Sequence, residues 1–214
     1  MRTRIKRFLK QRTDMLAGVS HDLRTPLTRM KLQLSLLKDE KAKKELELDI
    51  NEMTAMLDSY VSFVRSEAPE PIESINLNKF LKEIINNIGK EKFKISMHEK
   101  NIVQTSGRPL QLKRAFQNII DNSIRYSDKL EIEIFINNEG CNILFEDNGT
   151  GIPSKNYEDV FKPFFTLDPS RNKLKGESGL GLAITRDIIR SHGGEIKLGK
   201  SKFGGLKSIL QLPI

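Results

Sequence analysis

A histidine and an aspartate stand side by side at His21 and Asp22, with Arg24 and Thr25 close behind. In a helix the residues three and four positions on share the face of His21. The adjacent carboxylate can hold one ring nitrogen protonated and leave the other free as a nucleophile, for example towards phosphorus. Metal binding is the competing use, but no second histidine or cysteine stands at ligand spacing.

The element that carries His21 is predicted to be a helix with one apolar stripe. His21 lies two residues from Val19 and two from Leu23, hence about 200° around the helix from either, so it faces away from the stripe. Pro26 removes one backbone hydrogen bond and predicts a bend near the site. The stripe comprises Leu16, Val19, Leu23, Leu27, Met30, Leu34 and Leu37.

A second apolar stripe follows after a nearly fully charged stretch, Lys38 to Lys44. Two helices joined by a short turn form an antiparallel hairpin. Such a hairpin leaves much of both stripes uncovered, and a homodimer that forms a four-helix bundle would bury them. We therefore expect residues 1–68 to form a dimerisation domain. The second stripe comprises Leu46, Ile50, Met53, Leu57, Tyr60 and Val64.

Two prolines, Pro69 and Pro71, interrupt the helical period and predict a linker over residues 69–75. A second domain is expected over 76–214, where helices and strands alternate without a βαβ rhythm. This order favours an α/β sandwich with a mixed, largely antiparallel sheet. Helices are predicted at Asn78–Ile88, Pro109–Arg125 and Ser178–Ser191, and strands at Lys92–Ser96, Asn101–Gln104, Leu130–Ile136, Cys141–Glu146, Glu195–Leu198 and Leu206–Leu212.

A first glycine cluster, residues 147–153, directly follows a predicted strand. Gly149 and Gly151 would let the backbone approach a flat ligand, while Asp147 could accept a hydrogen bond from an exocyclic amine. A plain turn is the alternative interpretation.

A second cluster, with Gly176, Gly179 and Gly181, leads into a predicted helix. Free N–H groups and the helix dipole at such a start favour phosphate. No Walker sequence occurs, and a Rossmann site is disfavoured because no strand directly precedes the glycines and the third glycine is missing.

Two asparagines, Asn118 and Asn122, are four residues apart and share a helix face. Their amide oxygens could ligate Mg²⁺ that bridges ATP, although surface or capping roles are the alternative.

Composition limits the function classes without choosing one. The chain has 36 Lys+Arg against 28 Asp+Glu, a net charge of +8, which favours anionic partners or describes a solvated surface. The single cysteine, Cys141, allows neither a disulfide framework nor a cysteine-based metal site and suggests a reducing cytoplasm.

No apolar run reaches the roughly 20 residues of a membrane helix, and no signal peptide is recognisable, so we expect a soluble, cytoplasmic chain. Residues 1–12 carry six Lys or Arg side chains. They suit either the end of a membrane-proximal linker or a frayed basic helix end.

The sequence Ser20-His21-Asp22-Leu23-Arg24-Thr25-Pro26-Leu27-Thr28 resembles the H-box of the sensor histidine kinases of two-component systems, in the EnvZ-like osmosensor form. This resemblance implies that His21 is the phosphoacceptor and Asp22 its general base, with Arg24 in the same catalytic segment. It also implies that Thr25 positions a water when such kinases dephosphorylate their partner.

The asparagine pair and the two glycine clusters, together with the segment Val160–Phe165, resemble in order the N, G1, F and G2 boxes of an ATP-binding domain. Histidine kinases share this domain with gyrase-type topoisomerases, MutL proteins and heat-shock ATPase chaperones. The resemblance implies that Asn122 coordinates Mg²⁺ through ATP and that residues 166–175 form a lid. It implies a nucleotide site of Asn118, Asn122, Arg125, Tyr126, Asp147, Gly149, Gly151, Ile152, Phe164, Phe165, Arg171, Gly176, Ser178, Gly179, Leu180, Gly181 and Leu182.

The chain departs from the family pattern in two places. Thr166 stands where many relatives carry an arginine after the F-box, so Arg171 becomes the candidate for the γ-phosphate contact. Glu177 and Ser178 replace the more usual Gly-Thr pair but keep a hydroxyl.

The resemblance implies a homodimeric enzyme with ATP and Mg²⁺ as cofactors and an aspartate of a response regulator as acceptor. In full-length form it would act at the cytoplasmic face of the inner membrane. A non-kinase ATPase fragment of the same superfamily is the alternative, although it needs no H-box. A nucleic-acid or membrane-binding module lacks aromatic interleaving with the basic residues.

Overall fold

The computed structural model describes residues 22–36, 39–65, 70–88, 93–137, 140–167 and 179–214. The chain divides into two compact units, one containing a helical hairpin and the other containing the sheet.

The hairpin unit consists of helix α1, described over residues 22–34, and helix α2, Glu40–Arg65. Asp39 caps the N-terminus of α2, because its Oδ1 accepts hydrogen bonds from the backbone nitrogens of Lys41 (3.0 Å) and Ala42 (3.1 Å). The predicted helical hairpin is confirmed.

Only part of each predicted stripe is covered inside one hairpin. Leu27, Leu34 and Ile50 are buried and Leu57 packs against them. The other described stripe residues, Leu23, Met30, Leu46 and Met53, are 45–53% exposed.

The second unit contains three α-helices, two short 3₁₀ helices and seven strands in its described residues. The α-helices are α3 (Leu77–Asn86), α4 (Pro109–Tyr126) and α5 (Gly181–Ser191), and the strands are β1 (Glu73–Asn76), β2 (Lys94–Glu99), β3 (Gln104–Gly107), β4 (Lys129–Asn137), β5 (Gly140–Asp147), β6 (Glu195–Lys200) and β7 (Leu206–Leu212).

Five strands form one mixed sheet in the order β2-β4-β5-β7-β6. Among the described strands of this sheet, only β2 and β4 pair in parallel, and the other three pairs are antiparallel. Strands β1 and β3 form a separate antiparallel pair. The predicted mixed, largely antiparallel sheet is therefore confirmed.

Helices pack on the sheet to form the second layer of the sandwich. Phe116 of α4 lies 6.2 Å from Phe80 of α3 and 6.3 Å from Phe145 of β5, measured between ring centroids. All but Phe80 are buried, so this contact joins two helices to the central strand. The α/β sandwich expected from the sequence is confirmed.

The predicted linker over 69–75 is wrong at its C-terminal end, because residues 73–75 belong to β1. Residues before the strand are also engaged with the second unit. Both oxygens of Glu70 accept backbone hydrogen bonds from the first turn of α4, from Leu110 N (2.6 Å) and Gln111 N (3.2 Å). The N-cap residue of α4, Arg108, makes no side-chain cap, so the Glu70 carboxylate supplies it from 40 residues away.

The strand predicted over Asn101–Gln104 is also wrong, since β3 begins only at Gln104. The side chain of Asn78 accounts for the difference. Its Nδ2 donates to Asn101 O and its Oδ1 accepts from Val103 N, both at 2.9 Å. The backbone of this stretch thus bonds to α3 rather than to a neighbouring strand.

Other helix and strand boundaries shift by a few residues. Strand β2 begins at Lys94 rather than at residue 92, and helix α3 begins at Leu77. Helix α5 begins at Gly181 rather than at residue 178, because Gly179 has a φ of 63°, outside the right-handed helical region. Residues 138 and 139, between the predicted strands Leu130–Ile136 and Cys141–Glu146, lie outside the described residues.

His192 holds the start of α4 from the other side. Its Nε2 accepts a hydrogen bond from Arg108 N (2.9 Å), and its Nδ1 donates to Ile188 O (2.7 Å). Burial lowers the pKa of His192 below its ordinary value. The ring therefore stays neutral at pH 7, which the acceptor role of Nε2 requires.

Cys141 is buried in β5, and this burial raises the pKa of its thiol to about 11. Within the described ranges, no helix is both long and apolar enough to span a bilayer.

Candidate functional site

Asp147, at the end of β5, organises the site. The side chain is 5% exposed, and its Oδ1 accepts hydrogen bonds from Gly149 N and Leu206 N, both at 2.9 Å. Its Oδ2 accepts one long bond, 3.4 Å, from the hydroxyl of Ser123 on α4. The carboxylate therefore joins its own loop to β7 through Oδ1 and keeps Oδ2 as the oxygen able to accept from a ligand amine.

Two glycines allow the segments around Asp147 to meet. A β-carbon on Gly149 would lie 2.6 Å from the carbonyl oxygen of Tyr126. A β-carbon on Gly205 would overlap Oδ1 and the carbonyl oxygen of Asp147 and the nitrogen of Gly149. Gly151, with a φ of 67°, approaches the carbonyl of Gly205 from the same loop.

Gly205 was not among the residues that the sequence singled out. The available signal is the Gly204-Gly205 pair directly before β7. Its meaning depends on contact with Asp147, which is 58 positions earlier and becomes a neighbour only when β5 and β7 pair.

One face of α4 borders this junction. Asn118, Asn122 and Tyr126 recur at intervals of four and are all half-buried, whereas Arg125 is exposed. Because the carbonyl of Tyr126 abuts Gly149, this face ends at the loop that Asp147 anchors. The structure thus brings the predicted asparagine pair and the first glycine cluster together.

The start of α5 meets the same face. The Nδ2 of Asn118 donates to the carbonyl of Gly181 (3.1 Å), the last glycine of the second cluster. Two segments that are distant in the sequence, the loop after β5 and the start of α5, therefore meet on α4.

The segment Val160–Phe165 is anchored to α5 by its first aromatic residue. Val160 and Phe161 are buried, and the guanidinium of Arg186 lies 4.5 Å from the centroid of the Phe161 ring. Arg186 also binds Glu158 at 2.9 Å. Phe164 is 53% exposed and has a φ of 64°, a strained backbone conformation for a residue with a β-carbon.

The oxygens available for a cation along the α4 face are the amide oxygens of Asn118 and Asn122. Hard cations such as Mg²⁺ prefer oxygen ligands, and neutral amides leave most of the ionic charge to bound phosphates. The site therefore fits Mg²⁺ that arrives with a nucleotide. In the described part of the chain, no group of three or more His, Cys, Asp or Glu side chains could hold a metal ion.

Comparisons with known proteins identify this arrangement. Residues 107–214 match the family described as histidine kinase-, DNA gyrase B-, and HSP90-like ATPase. Residues 11–69 match the His Kinase A (phospho-acceptor) domain. The chain belongs to the sensor histidine kinase family. A chaperone or topoisomerase fragment needs no phospho-acceptor domain, so that alternative is not favoured.

Two curated sensor histidine kinases match over the whole chain. The chain is 33% identical over 215 residues to GtrS of Pseudomonas aeruginosa, covering 100% of this chain and 44% of that protein. It is 29% identical over 229 residues to CpxA of Escherichia coli, covering 100% and 50% respectively. The chain thus spans about half the length of the curated relatives it matches.

A solved structure supports the same fold. The histidine kinase AdeS of Acinetobacter baumannii superposes with a TM-score of 0.62 at 21% identity, over 90% of this chain and 97% of that one.

Most nucleotide-site residues expected for a histidine kinase lie in described parts of the chain. Leu180 is buried, Phe165 is half-buried, and so are Ile152 and Leu182. Gly179 adopts the left-handed conformation noted above. Arg171, Gly176 and Ser178 lie outside the described residues, so the γ-phosphate contact expected of Arg171 stays a prediction.

The expected phosphotransfer residues lie on the hairpin unit. Asp22, Arg24 and Thr25 are exposed on α1. His21 itself lies outside the described residues, so its predicted solvent-facing orientation stays a prediction.

Proposed function

We propose that this chain is the catalytic core of a protein-histidine kinase that uses ATP to phosphorylate His21. One observation carries the proposal: Asp147 presents an acceptor oxygen at a loop that abuts the Asn118–Asn122 face. The same chain contains a match to a phospho-acceptor domain. A nucleotide site and a phosphoryl acceptor together support autophosphorylation better than ATP hydrolysis alone.

The residues divide the work by their chemistry. Oδ2 of Asp147 accepts a hydrogen bond from the adenine amino group, while the α4 asparagines lie along the phosphates. Mg²⁺ bound with the nucleotide would supply charge neutralisation on the phosphates. Asp22 holds one imidazole nitrogen protonated, so that the other attacks the γ-phosphorus. The N–P bond forms as the bond to the bridging oxygen breaks, and ADP leaves.

Labelling with γ-labelled ATP and Mg²⁺ tests the proposal. The protein is expected to take up label that acid removes and alkali does not, the stability of a phosphoramidate. His21→Gln should lower the incorporation at least 100-fold, because glutamine has no nucleophilic ring nitrogen. His98→Gln is the matched control, since His98 is an exposed histidine on β2. Label that survives His21→Gln, or that withstands acid, would contradict the proposed reaction.

The expected partners are a second copy of the chain and a response regulator. The half-exposed stripe residues Leu23, Met30, Leu46 and Met53 support a four-helix dimer, which light scattering would contradict by showing a monomer. Phosphohistidine would donate its phosphoryl group to a regulator aspartate.

The expected location at the cytoplasmic face of the inner membrane rests on the basic residues within 1–12, and fractionation of the full-length protein checks it.

Thr25 is proposed to position a water for dephosphorylation of the regulator. Its replacement by alanine is expected to slow that dephosphorylation about tenfold or more and to leave autophosphorylation within twofold. Thr28→Ala is the matched control, because the hydroxyl of Thr28 is bonded to Arg24 O (2.9 Å) within the helix. Equal loss of both activities in Thr25→Ala would refute this role; measuring regulator phosphate release and His21 labelling separates the two.

A further inference from the structure

Thr185 is a fully buried threonine that the proposed reaction does not use. It lies in α5 among buried apolar residues such as Ile184 and Ile188 and is 0% exposed. An apolar side chain would fill this position at no cost in hydrogen bonding. The hydroxyl therefore requires an explanation from its contacts.

The hydroxyl of Thr185 contacts three polar groups. It is 2.9 Å from Gly181 O, 3.4 Å from Ala115 O and 3.5 Å from Nδ2 of Asn118. Both carbonyl oxygens are acceptors only, so the hydroxyl proton points to one of them, and Gly181 O is the nearer. A lone pair of the hydroxyl oxygen then accepts from Asn118.

Matching hydrogen-bond donors to acceptors in the same way determines how the side chain of Asn118 is oriented. One of its two N–H groups donates to Gly181 O at 3.1 Å, and the second donates to the hydroxyl of Thr185. The nitrogen must face these groups, because an amide oxygen would meet the carbonyl of Gly181 as acceptor against acceptor. Both donors are thus directed to α5, and Oδ1 is the atom presented to the nucleotide side of α4.

We propose that Thr185 is a positioning residue that fixes the amide of Asn118 with its oxygen towards the nucleotide. This role rests on the proposed function. An oxygen in that place attracts a cation and repels unneutralised phosphate oxygens, whereas N–H donors would bind bare phosphate. Thr185 therefore sets a preference for the Mg²⁺ complex of the nucleotide over the metal-free nucleotide.

Calorimetric titration of the whole chain with the β,γ-imido analogue of ATP, in Mg²⁺ and separately in EDTA, measures this preference without turnover. The preference is the dissociation constant in EDTA divided by that in Mg²⁺. In Thr185→Val the amide of Asn118 loses one acceptor and can rotate, so this ratio is expected to fall about fivefold. Thr185→Ser keeps the hydroxyl and should keep the ratio of the parent chain.

Thermal unfolding separates positioning from packing. Valine retains the shape of threonine, and the N–H group of Asn118 that loses its acceptor is only half-buried and can turn to solvent. The midpoint of this variant should therefore stay within about 2 °C of the parent. Serine removes a buried methyl group, and its midpoint should fall by about 2–4 °C. If Thr185 had a purely structural role, the preference for the Mg²⁺ complex would be unchanged in both variants, even where the midpoint of a variant falls.

A double-mutant cycle shows whether Thr185 acts through Asn118. In an Asn118→Ala background, Thr185→Val should have no further effect on the ratio. An unchanged ratio in Thr185→Val, or an equal change in Thr185→Ser, would overturn the role of Thr185 and leave the proposed function standing. A parent chain that binds the analogue in neither condition would overturn both.

Discussion

Asp147→Asn is expected to weaken ATP binding on the order of 100-fold, equivalent to about 3 kcal/mol. Asparagine keeps an oxygen for the backbone nitrogens of Gly149 and Leu206, so the junction survives. It replaces Oδ2 by an N–H₂ group, which faces the hydroxyl of Ser123 and, in the complex, the adenine amine. The hydroxyl of Ser123 can still accept from this group, because its own proton can point to Ile119 O at 3.2 Å. The adenine amine, however, meets it donor to donor, and that bond cannot be recovered.

Glu146→Gln provides the matched control. Glu146 precedes Asp147 on β5, is equally buried at 5% exposed, and points to the opposite face of the sheet. Its Oε1 accepts from Lys202 N at 3.1 Å, a bond that glutamine preserves. Calorimetry should give this variant an affinity within twofold of the parent. Comparable losses in both variants would mean that Asp147 acts through buried charge rather than through adenine recognition.

The parts of the fold predictable from sequence are those encoded by local period and turn chemistry. The apolar stripes identify the hairpin because spacings of three and four appear within a few turns. The Asp147–Gly149 loop is recognisable because its glycines and its carboxylate are adjacent in the chain. Each of these signals lies within a short window and needs no knowledge of the pairing partner.

The wrong predictions of the strand and the linker arise where a side chain distant in the sequence forms hydrogen bonds with the backbone. The side chain of Asn78 forms hydrogen bonds with the backbone of Asn101 and Val103, so these residues form no strand despite the sequence pattern. Glu70 crosses from the predicted linker to the first turn of α4. The residues around Asn78 and Glu70 give no local signal for either contact. Tertiary hydrogen bonds therefore override the local secondary-structure propensity.

Site residues divide in the same way. Asn118 and Asp147 carry recognisable chemistry in their own neighbourhood. Thr185 occupies a position where helical phase predicts an apolar residue, and only its contact with Asn118 gives its hydroxyl a role. Gly205 has no side chain at all, so its importance depends entirely on which atoms approach it.

Gly205→Ala is expected to remove ATP binding and to lower the thermal midpoint by about 5–10 °C. The added methyl group would overlap both the carboxylate and the carbonyl of Asp147 as well as the nitrogen of Gly149. Two of these atoms are backbone and cannot rotate away. The loop after β5 must therefore separate from β7, and the bond from Leu206 N to Asp147 is lost with it.

Gly199→Ala is the matched control for this substitution. Gly199 lies in β6, and a β-carbon there would meet only side-chain atoms of Lys207, no closer than 3.9 Å. Its midpoint should remain within about 2 °C and its affinity for ATP within twofold. Both variants add the same methyl group to a glycine of the same hairpin, so a difference between them reports the packing against Asp147. If Gly205→Ala binds ATP like the parent, the close approach of β7 to this loop is not required for nucleotide binding.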